Sequence, residues 1–191
     1  MAKNSQLRKL VGDPMRCNQT SAGYTLIELM VVLAISASLL AIGIPAFYKL
    51  ILSQRLTTHS NALLMAVKLA RSEAIHRGRR VDLVPLDGAN WSKGWLVFVD
   101  QNHNQRRDPG ETLIYSYSIH TSELRITPRF RDSKVQYIAY NGSGRSVSNT
   151  GKQLSQSGHW LLELGTDTRK VVINFLGRPR ICNPLKDKAS C

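Results

Sequence analysis

Gly23-Tyr24-Thr25-Leu26-Ile27-Glu28-Leu29-Met30 opens an apolar run that continues to Ile44 and meets Pro45. From Tyr24 to Ile44 there are 21 residues and one charge, Glu28. At about 1.5 Å of rise per residue this is roughly 32 Å of helix, against roughly 30 Å for the hydrocarbon core of a bilayer. A carboxylate at the centre of that core costs about 2.5–3.5 kcal/mol, so a lone one marks a function. Upstream lies a basic, polar segment with Lys3, Arg8, Lys9 and Arg16, ending in Ala22-Gly23. A secretory signal carries its small-residue cut after the apolar run. Here the small pair precedes it, so a cut after Gly23 leaves the apolar helix on the mature chain.

Downstream the helical pattern persists to about residue 77. Leu52, Leu56, Leu63, Val67, Ala70 and Ala74 recur at helical spacing among Arg55, Asn61, Lys68, Arg71 and His76, an amphipathic stripe that needs a partner surface. Pro45 and Gly43 permit a kink between the halves, and Gly78 suits a helix stop. The period then changes. Strands are expected at Val81 to Pro85, Trp95 to Val99, Leu113 to Ile119, Val135 to Tyr140, Trp160 to Leu164 and Val171 to Leu176, divided by turn-forming clusters such as Asn141-Gly142-Ser143-Gly144. Helix first and strands after is an α+β order. No internal repeat is evident.

Without its first 23 residues the chain carries 22 Lys and Arg against 12 Asp and Glu, and Arg125 to Cys191 alone holds 12 basic and 4 acidic residues. An exported domain this basic is expected to meet a polyanion: nucleic acid, anionic lipid or acidic glycan. Solubility is the plainer use of the same charge. The histidines, at 59, 76, 103, 120 and 159, show no paired ligand spacing. Neither a Gly-x-Ser-x-Gly nor a Walker loop is present, so the reading is not an enzyme and no cofactor is implied. Asp100, Asn102, Asn104, Asp108 and Glu111 space like a calcium loop, but Gln105 holds the glycine position and Arg106-Arg107 add positive charge. A polar hairpin turn is expected there. Trp91, Trp95, Phe98 and Trp160 are expected in the core rather than stacked on bases.

Gly23 before the cut, Tyr24 after it, Glu28 and Pro45 together resemble the class III signal of type IV prepilins and pseudopilins. Leu69 to Ile75, Trp91 to Asp100 and Val171 to Arg180 are similar to the GspH/FimT family of minor pilins and pseudopilins. The resemblance implies a long N-terminal helix, its first half transmembrane, packed on a β-rich globular head. It divides the chain into a leader at 1–23, a membrane half-helix at 24–45 and a periplasmic or extracellular head at 46–191. Met15 offers an internal start with a nine-residue leader. The resemblance further implies a prepilin peptidase that cuts after Gly23 and methylates Tyr24. Glu28 would meet the N-terminal amine of a neighbouring pilin. The chain would reside first in the bacterial inner membrane and then in a surface-exposed pilus fibre.

Cys17 would leave with the leader; Cys182 and Cys191 remain, with eight residues between them, and are expected to pair in an oxidising periplasm. The most informative exposed element is Gly177-Arg178-Pro179-Arg180. Residues two apart on extended backbone share a side, roughly 6–7 Å apart. Arg178 and Arg180 then match adjacent phosphates, and each guanidinium can fork onto phosphate oxygens. Gly177 clears the approach, and Pro179 biases Arg178 towards an extended shape. Lys186 and Lys188 in the cysteine loop, with Arg145 and Lys152, extend the candidate set; Arg125, Arg129, Arg131 and Lys134 are further basic residues. Gly-Arg-x-Arg near the C-terminus resembles the DNA-binding element of FimT-type minor pilins. The implied function is non-specific binding of double-stranded DNA in natural transformation. The alternative is a structural minor pilin, or a pseudopilin of type II secretion, that assembles fibres without DNA.

Overall fold

The computed structural model describes residues 23–132, 136–149, 154–187 and 191. Two units make up the chain, residues 1–44 and Pro45–Cys191. One helix, α1 (Leu26–Arg77), contributes to both.

In the first unit the helix begins with a capping box. Thr25 donates its backbone N–H (2.9 Å) and its hydroxyl (3.1 Å) to Glu28 Oε2, and the Glu28 N–H returns a bond to Thr25 Oγ1 (3.3 Å). This Thr-x-x-Glu arrangement satisfies amides that a helix start otherwise leaves open. Glu28 therefore has a local task besides any it performs between subunits. The residues that follow are long and apolar enough to cross a membrane, and their side chains are exposed within the chain.

The second unit is a helix with two antiparallel sheets. Leu56, Leu63, Val67, Ala70 and Ala74 are buried as the stripe predicts, and Ser60 and Ala66 fill the gaps between them. Ser60 is tolerated there because its hydroxyl donates to the Leu56 carbonyl at 2.7 Å. The helix ends at Gly78, which takes a left-handed φ of 60°.

The first sheet has the order β3-β2-β1-β5-β6, from β1 (Val81–Pro85), β2 (Gly94–Val99), β3 (Leu113–Ser118), β5 (Ile138–Tyr140) and β6 (Ser146–Val147). The second has the order β4-β7-β8-β9, from β4 (Arg125–Phe130), β7 (Gly158–Leu164), β8 (Asp167–Ile173) and β9 (Pro179–Cys182). One buried cluster joins Leu63, Val67 and Ala70 of the helix to Val81, Leu83 and Val97 of the first sheet and Trp160, Leu162 and Val171 of the second. Trp91 and Phe130 meet Trp160 edge-to-face with ring centroids 5.0 Å apart. Trp91, Trp95, Phe98 and Trp160 are all fully enclosed, as expected.

Several strands depart from the sequence reading. β4 and β9 show no strand pattern in the sequence, because Pro128 and Pro179 punctuate them. Both are edge strands, where a missing N–H breaks no ladder. β8 runs from Asp167 to Ile173 rather than from Val171 to Leu176, because Asn174 closes a turn. β5 starts at Ile138; Val135 lies outside the described residues, as do residues 1–22, Lys134, Lys152 and Lys188.

The calcium-like loop is a polar turn. Asp100 accepts from the N–H groups of Asn104 (3.2 Å) and Gln105 (3.1 Å), and Asp108 accepts from the side chains of Asn102 (2.7 Å) and Asn104 (2.6 Å). Glu111 accepts from the N–H groups of Gln101 (2.9 Å) and Asp108 (3.0 Å). Its carboxylates are thus committed to donors of the chain itself.

Candidate functional site

The Gly177–Arg180 element sits where β8 turns into β9. Gly177 N–H donates to the Asn174 carbonyl at 2.9 Å, and Asn174 N–H donates to the Arg178 carbonyl at 3.2 Å. The Asn174 side-chain oxygen accepts from Leu176 N–H (3.1 Å) and Arg178 N–H (2.9 Å). Gly177 has φ 74°. This is a tight turn closed by a left-handed glycine, a common hairpin connection. Pro179 pairs with the buried Ile173, so the exposed Arg178 and Arg180 on either side of it leave the strand on its outer face.

A second loop repeats this plan. Asn141-Gly142-Ser143-Gly144-Arg145 connects β5 to β6. Gly144 N–H donates to the Asn141 carbonyl (2.8 Å) and Asn141 N–H to the Arg145 carbonyl (3.0 Å). Asn141 Oδ1 accepts from Ser143 N–H (3.1 Å) and Arg145 N–H (3.0 Å), and Gly144 has φ 72°. Each loop reads Asn-x-x-Gly-Arg, and each puts an exposed arginine directly after the glycine.

The two loops touch. The Tyr140 hydroxyl donates to the Gly177 carbonyl at 2.7 Å in a buried bond. A Cβ on Gly177 would fall 2.7 Å from Tyr140 Cε1 and 3.2 Å from Ser146 N. Tyr140 and Ser146 flank the first loop, so Arg145 and Arg178 each follow or precede a residue at this contact. Gly177 is therefore required by the fold itself, through its φ and the Tyr140 ring, beyond any clearance it gives a ligand. Arg71 joins them from the helix: its Nε is 3.4 Å from where a Gly144 Cβ would stand. Burial raises the Tyr140 hydroxyl pKa, with the Arg71 charge opposing.

Strand register extends the basic surface across the second sheet. Arg129 stands opposite His159, His159 opposite Val172, and Val172 opposite Arg180. With strands about 4.8 Å apart, this row spans roughly 14 Å. Lys170 lies on the same face, two residues from Val172 along β8; burial first, and then the charges of Lys170 and Arg129, hold His159 below its ordinary 6.5. Arg125 is opposite Glu163 on that face. Among the described residues no ion pair uses Arg125, Arg129, Arg145, Lys170, Arg178 or Arg180. Arg77 and Lys93 are paired with Glu73 and Asp87, and the largely buried Arg80 is held to Asp82 at 2.7 Å and lies 3.6 Å from Asp100.

Cys182 and Cys191 are bonded, with Cα atoms 5.7 Å apart. The loop they close carries the exposed Lys186 and is internally bonded, with Asp187 Oδ2 accepting from Asn183 N–H at 2.9 Å. Arg71, Lys170 and His159 escaped the sequence reading as members of the candidate surface. The repeated Asn-x-x-Gly-Arg was the available signal for Arg145 beside Arg178.

The sequence pattern described as type II transport protein GspH matches residues 59–177, and the prokaryotic N-terminal methylation motif matches residues 18–44. The chain belongs to the GspH family. Its methylation motif contains Gly23, Tyr24 and Glu28, and its family match ends one residue before Arg178. The pilin-like protein PilA1 of Thermus thermophilus is 34% identical over 167 residues, covering 85% of this chain and 99% of that protein. The crystal structure of the type IV minor pilin FimU of Pseudomonas aeruginosa aligns with a TM-score of 0.56 over 70% of this chain and 92% of that one. At 17% identity that likeness is one of fold. This GspH-family chain is thus a type IV pilin-like protein with a pilin helix and an antiparallel head.

Proposed function

We propose that this GspH-family chain is a minor type IV pilin whose head binds double-stranded DNA without sequence preference and supports DNA uptake in natural transformation. The observation that supports this reading is the pair of touching Asn-x-x-Gly-Arg loops, each of which presents an exposed arginine, Arg145 or Arg178, outside any ion pair among the described residues. Guanidinium groups on fixed backbone fork onto phosphate oxygens at little ordering cost. The Arg129–Arg180 row gives a duplex backbone a track to follow. Phosphate contacts position without reading bases, so binding is sequence-tolerant and falls steeply with salt.

In the same reading a prepilin peptidase removes residues 1–23 and methylates Tyr24. The helix then passes from the inner membrane into a fibre with other pilins, where Glu28 neutralises the N-terminal amine of a neighbour. Lys186, exposed in the disulfide-closed loop that follows β9, adds charge in this reading.

The test is binding of the full chain, held in zwitterionic lipid nanodiscs, to labelled duplexes of unrelated sequence across salt. The same titration is run with Arg178→Gln and Arg180→Gln together. Similar affinities for every sequence, a steep salt slope and loss of most affinity in the variant support the reading; absence of binding at low salt defeats it. A second reading, assembly without DNA, is favoured by the family's description as a transport protein. It wins if the two substitutions leave transformation intact while deletion of the chain abolishes piliation or secretion.

A further inference from the structure

The two matched loops differ at their tips, and the difference identifies a further contact. The first loop is complete with Gly142-Ser143 at the two tip positions. The same hydrogen bonds form in the second with Phe175-Leu176, so the turn does not require large apolar side chains. Nor does the core, since Phe175 is 67% exposed and Leu176 43%. Phe175 is the one aromatic among the exposed large apolar residues described beyond the helix; the others are Leu113, Leu154, Leu176 and Leu185.

The tip is held firmly. The Asn174 side chain fixes it from within, the Tyr140 hydroxyl holds Gly177, and the Ser155 hydroxyl donates to the Phe175 carbonyl. Presenting an aromatic ring on a fixed turn costs little ordering on binding. Arg178 lies three residues on and Arg145 on the touching loop.

An exposed aromatic ring flanked by arginines outside any described ion pair matches one ligand chemistry: a base with an open π-face attached to a phosphate backbone. We propose that Phe175 stacks on such a base, so that the hairpin tip prefers single-stranded DNA and duplex ends to the interior of a duplex, while Arg145, Arg178 and Arg180 take the adjoining phosphates. This rests on the DNA-binding reading above and adds to it the state of the DNA that the tip engages.

The experiment compares the full chain in zwitterionic nanodiscs with Phe175→Ala, Phe175→Leu and Phe175→Trp. The probes are a short single strand carrying 2-aminopurine and a relaxed, closed circular duplex, which has no ends. An unchanged melting temperature confirms that each variant folds. The expected result is that Phe175→Ala weakens single-strand binding about tenfold. Phe175→Trp retains it, and the 2-aminopurine response is lost in Phe175→Ala and Phe175→Leu. The salt slope stays as in the wild type, because no phosphate contact is removed, and binding to the closed circle is unchanged. If Phe175→Ala binds the single strand as the wild type does, or loses the same factor on both probes, the stacking proposal is overturned while the DNA-binding reading stands. If the wild type binds neither probe, both are overturned.

Discussion

Asn141–Arg145 and Asn174–Arg178 follow one backbone plan in two surroundings. In the first loop the space beside the left-handed glycine holds the end of a flexible side chain: a Cβ on Gly144 would meet Ile75 Cδ1 at 2.6 Å, and Ile75 is exposed. In the second that space is closed by the Tyr140 ring and by backbone, and the neighbouring carbonyl carries a buried bond. The first loop leans on the helix, and the second leans on the first. A short turn signature therefore sets local geometry, while its tolerance to change is set by what it packs against.

Replacing the two glycines breaks the comparison most strongly. Gly177→Ala carries the left-handed penalty and a clash with a buried ring, so it should cost about 2–4 kcal/mol. Gly144→Ala carries the same penalty, but Ile75 can swing aside, so about 1–2 kcal/mol is expected. Thermal unfolding followed by tryptophan fluorescence measures both; equal losses would show that the surroundings do not matter. Tyr140→Phe comes next. It leaves the Gly177 carbonyl buried without its donor, at about 1–2 kcal/mol, and the same unfolding assay reads it.

Asn141→Ala and Asn174→Ala should each lose about 1 kcal/mol, and by similar amounts, since each side chain receives the same two backbone N–H groups. A large inequality would mean that the loops are not equivalent. The smallest effect concerns His159, a pH slope rather than a loss. Its folded pKa lies below the ordinary 6.5 because of burial and the charges of Lys170 and Arg129. The unfolded chain therefore binds that proton more readily. Its stability contribution is full above 6.5 and falls as pH drops through 6.5 towards the folded value. His159→Gln should flatten that slope in melts taken at successive pH values. Acidification should also tighten DNA binding, because a protonated His159 adds charge to the Arg129–Arg180 row.

The parts of this fold that were legible from sequence are those whose signal is local. The spacing of Leu56, Leu63, Val67, Ala70 and Ala74 located the buried helix face, and the Trp95–Val99 run located β2. The proline-bearing β4 and β9 were hidden, because an edge strand tolerates residues that a sequence pattern treats as breakers. Phe175 and Leu176 read as the end of a strand because they are apolar; the Asn174 side chain, which ends β8, acts through hydrogen bonds that hydropathy does not register. Arg178 and Arg180 were legible as a pair, since alternation along one strand is local. Their arrangement with other residues was not: Arg129, His159 and Arg180 fall into one row through strand register, β4 pairing with the distant β7, and Arg145, a candidate from its charge, is brought to the same part of the head by the contact of Tyr140 and Ser146 with Gly177.

Whether the two loops act as one phosphate-binding pair is tested most directly by the salt dependence of duplex binding. The full chain, Arg145→Gln, Arg178→Gln and the double variant would be titrated with one labelled duplex over a range of salt. If each arginine meets a phosphate, each single substitution lowers the slope of log affinity against log salt by about 0.9, and the double by about 1.8. A wild-type slope in Arg145→Gln, alongside a reduced slope in Arg178→Gln, would contradict the pairing and leave the first loop as scaffold alone.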